Sequence, residues 1–339
     1  MGHQSLRANT TANRNSAFGL YTLFDNTTGA NNTAIGAGAL ENNTTASNNT
    51  AVGNEALIAN TTGSENTAVG RLALDANTTG TDNVSVGNSA LGANTTANNN
   101  TAVGSAALLA NTTGTTNVAV GSGCLDANTT ASRNSAVGHH ALTSNTEGDR
   151  NTAMGAYVME DNTTGTNNTA IGHDALANNT TASYNTAIGS NALVANNKSA
   201  NNTASSFEAG NDITTGVNNV IVGGTAGDAI TTGSGNTLIG RDAGGAITTG
   251  VNNTVIGETA GDAMTGGGDN VIIGHNSTVA GNGSNQIAIG ADVNAVNGSN
   301  GITLGNSNIS YFQCQVQSIS ALSDERDKTN ILDSTYGLD

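Results

Sequence analysis

One glycine recurs every 17 residues along most of this chain: Gly2, Gly19, Gly36, Gly53, Gly70, Gly87, Gly104, Gly121, Gly138, Gly155, Gly172 and Gly189. The next step lands on Ser206, and the ladder resumes at Gly223, Gly240, Gly257 and Gly274. It then shortens to 16 residues at Gly290 and 15 at Gly305, giving 19 ladder positions. A fixed period of this length points to a stack of small repeating units rather than to globular domains.

With the glycine as position zero, the repeat through residue 201 reads N-T-A-V-G-x-x-A-L-x-A-N-T-T-G-x-x. Position −4 is Asn from Asn15 to Asn270. Position −1 is nearly always Val, Ile or Met, and position +4 is Leu or Met from Leu6 to Leu193. Positions −1 and +4 are therefore expected to be the apolar core rows. NTAVG alternates with period two and carries β-branched residues, so it should form a short strand; x-A-L-x-A-N-T-T should form a second.

A unit this small cannot close its own core. Ordering about 17 residues costs on the order of 25 kcal/mol, whereas two buried apolar side chains return about 3 to 6. The coils must stack. At about 4.8 Å per parallel step, 19 coils make a rod roughly 90 Å long. Stacking also gives the asparagines a purpose, because equivalent amides one strand spacing apart can pair along a column. Asn15, Asn32, Asn49, Asn66, Asn83 and Asn100, with Gly36, Gly53, Gly70 and Gly87, are the expected structural ladder. The Thr pairs at +8 and +9, such as Thr44 and Thr45, can behave likewise. Glycan attachment at the abundant Asn-x-Thr sequons is the competing explanation.

From residue 207 the pattern changes. Position +4 becomes Gly at Gly210, Gly227, Gly244 and Gly261, while position +7 changes from Asn to Ile213, Ile230, Ile247 and Met264. This paired change predicts one solenoid with two cross-sections, joined at the Ser206 coil. The lead-in NNKSANN, residues 196 to 202, is the expected irregularity.

Composition narrows function. The 339 residues include no proline or tryptophan, 45 glycines and only 3% aromatics, so a thick globular core is excluded. A net charge of −16 with nine basic residues disfavours nucleic acid and anionic lipid as partners. No apolar stretch reaches the length of a membrane helix. Cys124 and Cys314 have neither disulfide-framework nor zinc-site spacing. Cys124 falls in the +3 column, usually Ala, and reads as a small buried filler. His139, His173 and His275 share turn position +1, and His140 lies at +2. Two coils apart, His139 and His173 are too distant to share an ion, so no metal or other cofactor is expected. Asp75, Asp126, Asp228 and Asp262 share +5 and read as solubilising corner residues rather than a catalytic carboxylate pair.

The NTAVGxxAL phrases resemble the head repeats of trimeric autotransporter adhesins, which implies a left-handed parallel β-roll with three chains side by side, over residues 1 to about 309. Those adhesin repeats are typically shorter. Residues 320 to 331, SALSDERDKTNI, resemble the start of the endosialidase-type intramolecular chaperone that ends many phage tail spikes and fibres. That resemblance implies trimerisation and self-cleavage, with Ser323 as nucleophile, Lys328 as its base, and Asp324 and Arg326 as neighbouring motif positions. Only the first residues of such a module are present.

The chain is thus expected to be all-β: a parallel β-solenoid, a β-roll or β-helix of 17-residue coils, assembled as a homotrimer. Residues 1–206 form the solenoid with Leu at +4 and Asn at +7; residues 207–305 form the variant with Gly at +4 and Ile or Met at +7. Residues 306–322 are a linker, and residues 323–339 begin the chaperone module. The expected function is the structural shaft of a phage tail fibre or spike, extracellular on the virion, and not an enzyme apart from self-cleavage. Its expected partners are itself, other virion tail proteins, and a host-surface glycan or protein receptor. A bacterial trimeric adhesin head is the alternative, and an ice-binding solenoid with water-ordering Thr columns, testable by thermal hysteresis, is a remote one.

Overall fold

The computed structural model describes residues 2 to 295 and 298 to 310. The expected linker beyond residue 310 and the chaperone start, with Ser323, Asp324, Arg326 and Lys328, lie outside the described residues. The fold is all-β, a parallel β-solenoid of about 17 residues per turn. Its spine is an 18-stranded parallel sheet of three-residue strands. These strands run from β1 (Ser16–Phe18) to β16 (Val271–Ile273), then through β18 (Ile287–Ile289) to β20 (Ile302–Leu304). Each strand occupies positions −3 to −1 and pairs with its equivalent one coil on. Thus Thr50 lies opposite Thr67, Ala51 opposite Ala68, and Val52 opposite Val69.

The expected second strand is not formed through most of the rod. The segment after the glycine is a run of turns, because positions +2 and +4 adopt left-handed backbone conformations, as at Glu55 (φ 58°) and Leu57 (φ 52°). Two left-handed residues in three curl the chain where a strand would stay extended. Among the described residues only the shortened last coils carry a second strand pair, β17 (Thr278–Val279) with β19 (Asn294–Ala295). The turns are nevertheless tied to their neighbours. Leu57 and Thr61 donate backbone N–H groups to Ala73 and Thr78 of the next coil, both at 3.0 Å, while Gly53 donates to Ile35 of the preceding one at 2.8 Å. Each coil is stitched around its perimeter, not only along the sheet.

The core rows also differ from the expectation. Alternation along the strand buries −2, not −1: Ala34, Ala51 and Ala68 are fully buried, whereas Ile35 is 43% and Met154 47% exposed. The interior is built from −2, +3 and +4, as in Ala51, Ala56 and Leu57. With one Leu reaching across a narrow cross-section, only small residues fit opposite it. The larger −1 residues are left facing outward.

The ladder glycines are explained by close approach. Gly70 has φ 140°, and a Cβ there would lie 2.3 Å from the carbonyl oxygen of Gly87. Gly36, Gly53 and Gly87 stand in the same relation to the next coil. Ser206 occupies this place with φ 127°, a conformation that penalises a side chain.

Candidate functional site

Two asparagine columns form the polar interior. In the −4 column, the backbone N–H of Asn49 donates to Oδ1 of Asn32 at 2.9 Å, and that of Asn66 to Oδ1 of Asn49, also at 2.9 Å. Oδ1 of Asn15, Asn83 and Asn100 likewise accepts from the backbone N–H of Asn32, Asn100 and Asn117. The amide groups point elsewhere: Nδ2 of Asn32 donates to the Ala46 carbonyl at 2.9 Å. This column is mainly a side-chain-to-backbone ladder. The amide-to-amide ladder lies at +7, where Nδ2 of Asn43 donates to Oδ1 of Asn26 at 2.8 Å and Asn60 to Asn43 at 2.9 Å. Asn43 Nδ2 also donates to the Ala46 carbonyl at 3.0 Å, so both columns converge on the +10 carbonyl. A glycan at a +7 sequon such as Asn43-Thr44-Thr45 would need the very nitrogen that makes these buried bonds. At +8, Thr44 Oγ1 donates to the Thr61 carbonyl at 3.1 Å, while Thr45 at +9 is exposed.

The +7 amide column ends at the seam. Asn196 turns its Oδ1 toward Ser199, accepting from the Ser199 N–H at 3.1 Å and its Oγ at 2.7 Å. Asn179 Oδ1 and Asn196 Nδ2, which would have met each other, are buried without a hydrogen-bond partner. The irregularity expected over residues 196 to 202 is thus a local reversal of one amide. The sheet runs through it, with Ala187, Ala204 and Ile221 in register.

Three of the five histidines, His139, His140 and His173, gather around Tyr157. His139 and His140 have ring centroids 4.1 Å apart, and Tyr157 packs against both His140 (6.0 Å, stacked) and His173 (5.9 Å, edge-on). His140 Nδ1 lies 3.0 Å from Thr143 Oγ1, and His173 Nδ1 lies 2.8 Å from Asp174. Among the described residues no three His, Cys, Asp or Glu side chains converge as metal ligands, and there is no pocket.

Cys124 is buried at +3, its Sγ 3.3 Å from the Ala136 carbonyl, and burial pushes its thiol up to about 12. It therefore carries no thiolate at neutral pH. The +5 acids are less open than their corner positions suggested. Asp75, Asp126 and Asp228 are half-buried, and only Asp262 is exposed. Desolvation by burial raises Asp75 and Asp228 above the usual carboxylate range. In the variant coils Arg241 pairs with Asp242 and with Glu258 one coil on, which holds Glu258 below its ordinary value.

What sequence reasoning missed is the outer face of the sheet. The −1 row, read as core, forms an exposed apolar stripe down the rod, with Phe18 69%, Ile188 40% and Leu304 47% exposed. Strict alternation within TAV and TAI was the available signal, since it puts Ala and Val on opposite faces. No known protein family and no curated protein matches the sequence.

Proposed function

We propose that this chain is the shaft of a fibrous assembly, a phage tail fibre or tail spike, acting as a stiff spacer at the virion surface and working as a homotrimer. The observation that carries this reading is the unbroken spine: 18 strands paired in register through both cross-sections and across the seam. Each coil hydrogen-bonds its two neighbours all round, so bending must distort many short bonds at once. The phage assignment rests on SALSDERDKTNI, the trimer on that motif together with the exposed apolar stripe. Its further partners are other tail proteins and a host-surface glycan or protein receptor. The NTAVGxxAL phrases favour a bacterial surface adhesin as the second reading.

The test is expression of the full gene product that carries this sequence, followed by intact-mass measurement. Cleavage immediately before Ser323, abolished by Ser323→Ala and by Lys328→Ala, is the expected outcome. A product that stays whole, or a continuation encoding a membrane-anchoring barrel, overturns the phage reading in favour of the adhesin.

A further inference from the structure

None of the three-residue strands of the 18-stranded sheet contains a charged residue, and their outer face, unlike the uncharged Thr column at +8, carries an apolar row. Every Asp, Glu, Lys and Arg among the described residues lies on another part of the coil. Position −1 supplies Val, Ile, Met, Phe and Leu, broken once by Ser205, and position −3 supplies Thr, Ser, Val and Ile, including Val84 at 37% and Val220 at 41% exposure. The stripe spans about 80 Å of strand spacings and a strand width of about 10 Å, roughly 800 Å² per chain. That is the area one partner contributes to an ordinary stable protein interface.

We infer that the −1 and −3 rows of this sheet face are the surface on which copies of this chain pack side by side, parallel and without axial stagger. Self-association follows from the charge distribution. Acidic chains repel wherever their charged corners meet, and this face is a long strip without carboxylates that, unlike the equally uncharged Thr and Asn column at +8, carries an apolar row. Zero stagger follows from geometry, because each one-coil slip uncovers one apolar row at either end. The common direction of the copies rests on the shaft reading, in which all chains run toward one C-terminal module.

Sedimentation of the 339-residue chain, wild type against Val69→Glu/Val103→Glu, tests this. Both side chains face outward, so the single-chain fold tolerates the change. The wild type is expected at a whole multiple of the chain mass and the Glu pair at the single-chain mass, with unchanged circular dichroism. A Thr62→Glu/Thr96→Glu control on the exposed +9 column stays assembled. In a Cys314→Ser background, Val103→Cys is expected to form a disulfide with its own equivalent under mild oxidation, and Thr96→Cys is not. This second readout serves if the Glu pair unfolds. An assembled wild type whose mass ignores the Glu pair, or absent Val103→Cys cross-linking, overturns the inference and leaves the shaft reading standing. A monomeric wild type overturns both the inference and the trimeric part of that reading.

Discussion

The coils before and after the Ser206 seam share a backbone path but fill it differently. In the first region the cross-section holds Leu at +4, Ala at −2 and a buried Asn at +7, exemplified by Leu57, Ala51 and Asn60. In the second, +4 is Gly, and the space passes to large residues at both −2 and +7. A Cβ on Gly227 would lie 2.6 Å from Leu238 Cδ1 and 3.0 Å from Ile230 Cδ1. The second region thus drops the +7 amide column for apolar packing. Its −4 column compensates, since Asn219, Asn236, Asn253 and Asn270 each donate Nδ2 to the preceding Asn at 2.9 to 3.1 Å. Of the −4 asparagines in the first region, only Asn83 and Asn168 make that bond. One backbone can hold a polar or an apolar third column, provided volume and hydrogen bonds are conserved together.

The largest expected effect comes from mixing the two solutions. Leu193→Gly opens a cavity in the last coil of the first type and should cost about 3 to 5 kcal/mol by denaturant unfolding. Adding Asn196→Ile and Ala204→Leu moves the seam one coil earlier and should recover most of that loss, a coupling readable in a mutant cycle. Additive losses would show that the columns are independent.

Next in size is Asn111→Leu, within the amide column. It leaves Asn94 Oδ1 without its 3.1 Å donor and removes the acceptor of Asn128 Nδ2, at about 2 to 3 kcal/mol. Hydrogen exchange should accelerate in the neighbouring first-region coils and not beyond Ile221. Ser199→Ala has the opposite sign. Without the hydroxyl, the Asn196 amide can turn its Nδ2 toward Asn179 Oδ1 and satisfy both orphans, giving up the bonds from the residue-199 N–H and from Asn202 Nδ2, for a net stabilisation of at most about 1 kcal/mol. An unchanged melting point would mean that the reversal is not caused by Ser199.

The smallest effect is electrostatic and common to both regions. Burial raises the carboxyls of Asp75 and Asp228, so the folded state holds these protons more tightly than the unfolded chain. Stability is then lost as pH rises through the raised values. Asp75→Asn and Asp228→Asn should each raise the melting temperature slightly at pH 7 and not at pH 3.

The period, the columns and the paired change at +4 and +7 were legible because a solenoid writes its contacts into the sequence at fixed spacing. The growth of −2 to Ile221, Leu238 and Ile272 was equally visible, but position −1 was taken for the core in its place. Small Ala inside and Val outside inverts the usual hydrophobic order, and only the narrow cross-section explains it. The missing second strand was not legible. Leucine at φ near 52° is uncommon, and nothing local to A-L-x-A announces it. The backbone bonds between coils hold it there. The reversed Asn196 amide was flagged only as an irregular lead-in, because the orientation of one amide leaves no mark on the repeat pattern.

The central claim, that each 17-residue step advances the chain by one strand spacing, is tested most directly by spin-label distances along the exposed +9 threonines. Labels on Thr45 and Thr130 lie five coils apart and those on Thr45 and Thr232 eleven, with labelled chains diluted in unlabelled ones. The predicted separations are about 24 Å and about 53 Å, in proportion to coil number. Separations that do not scale with coil number would contradict the account.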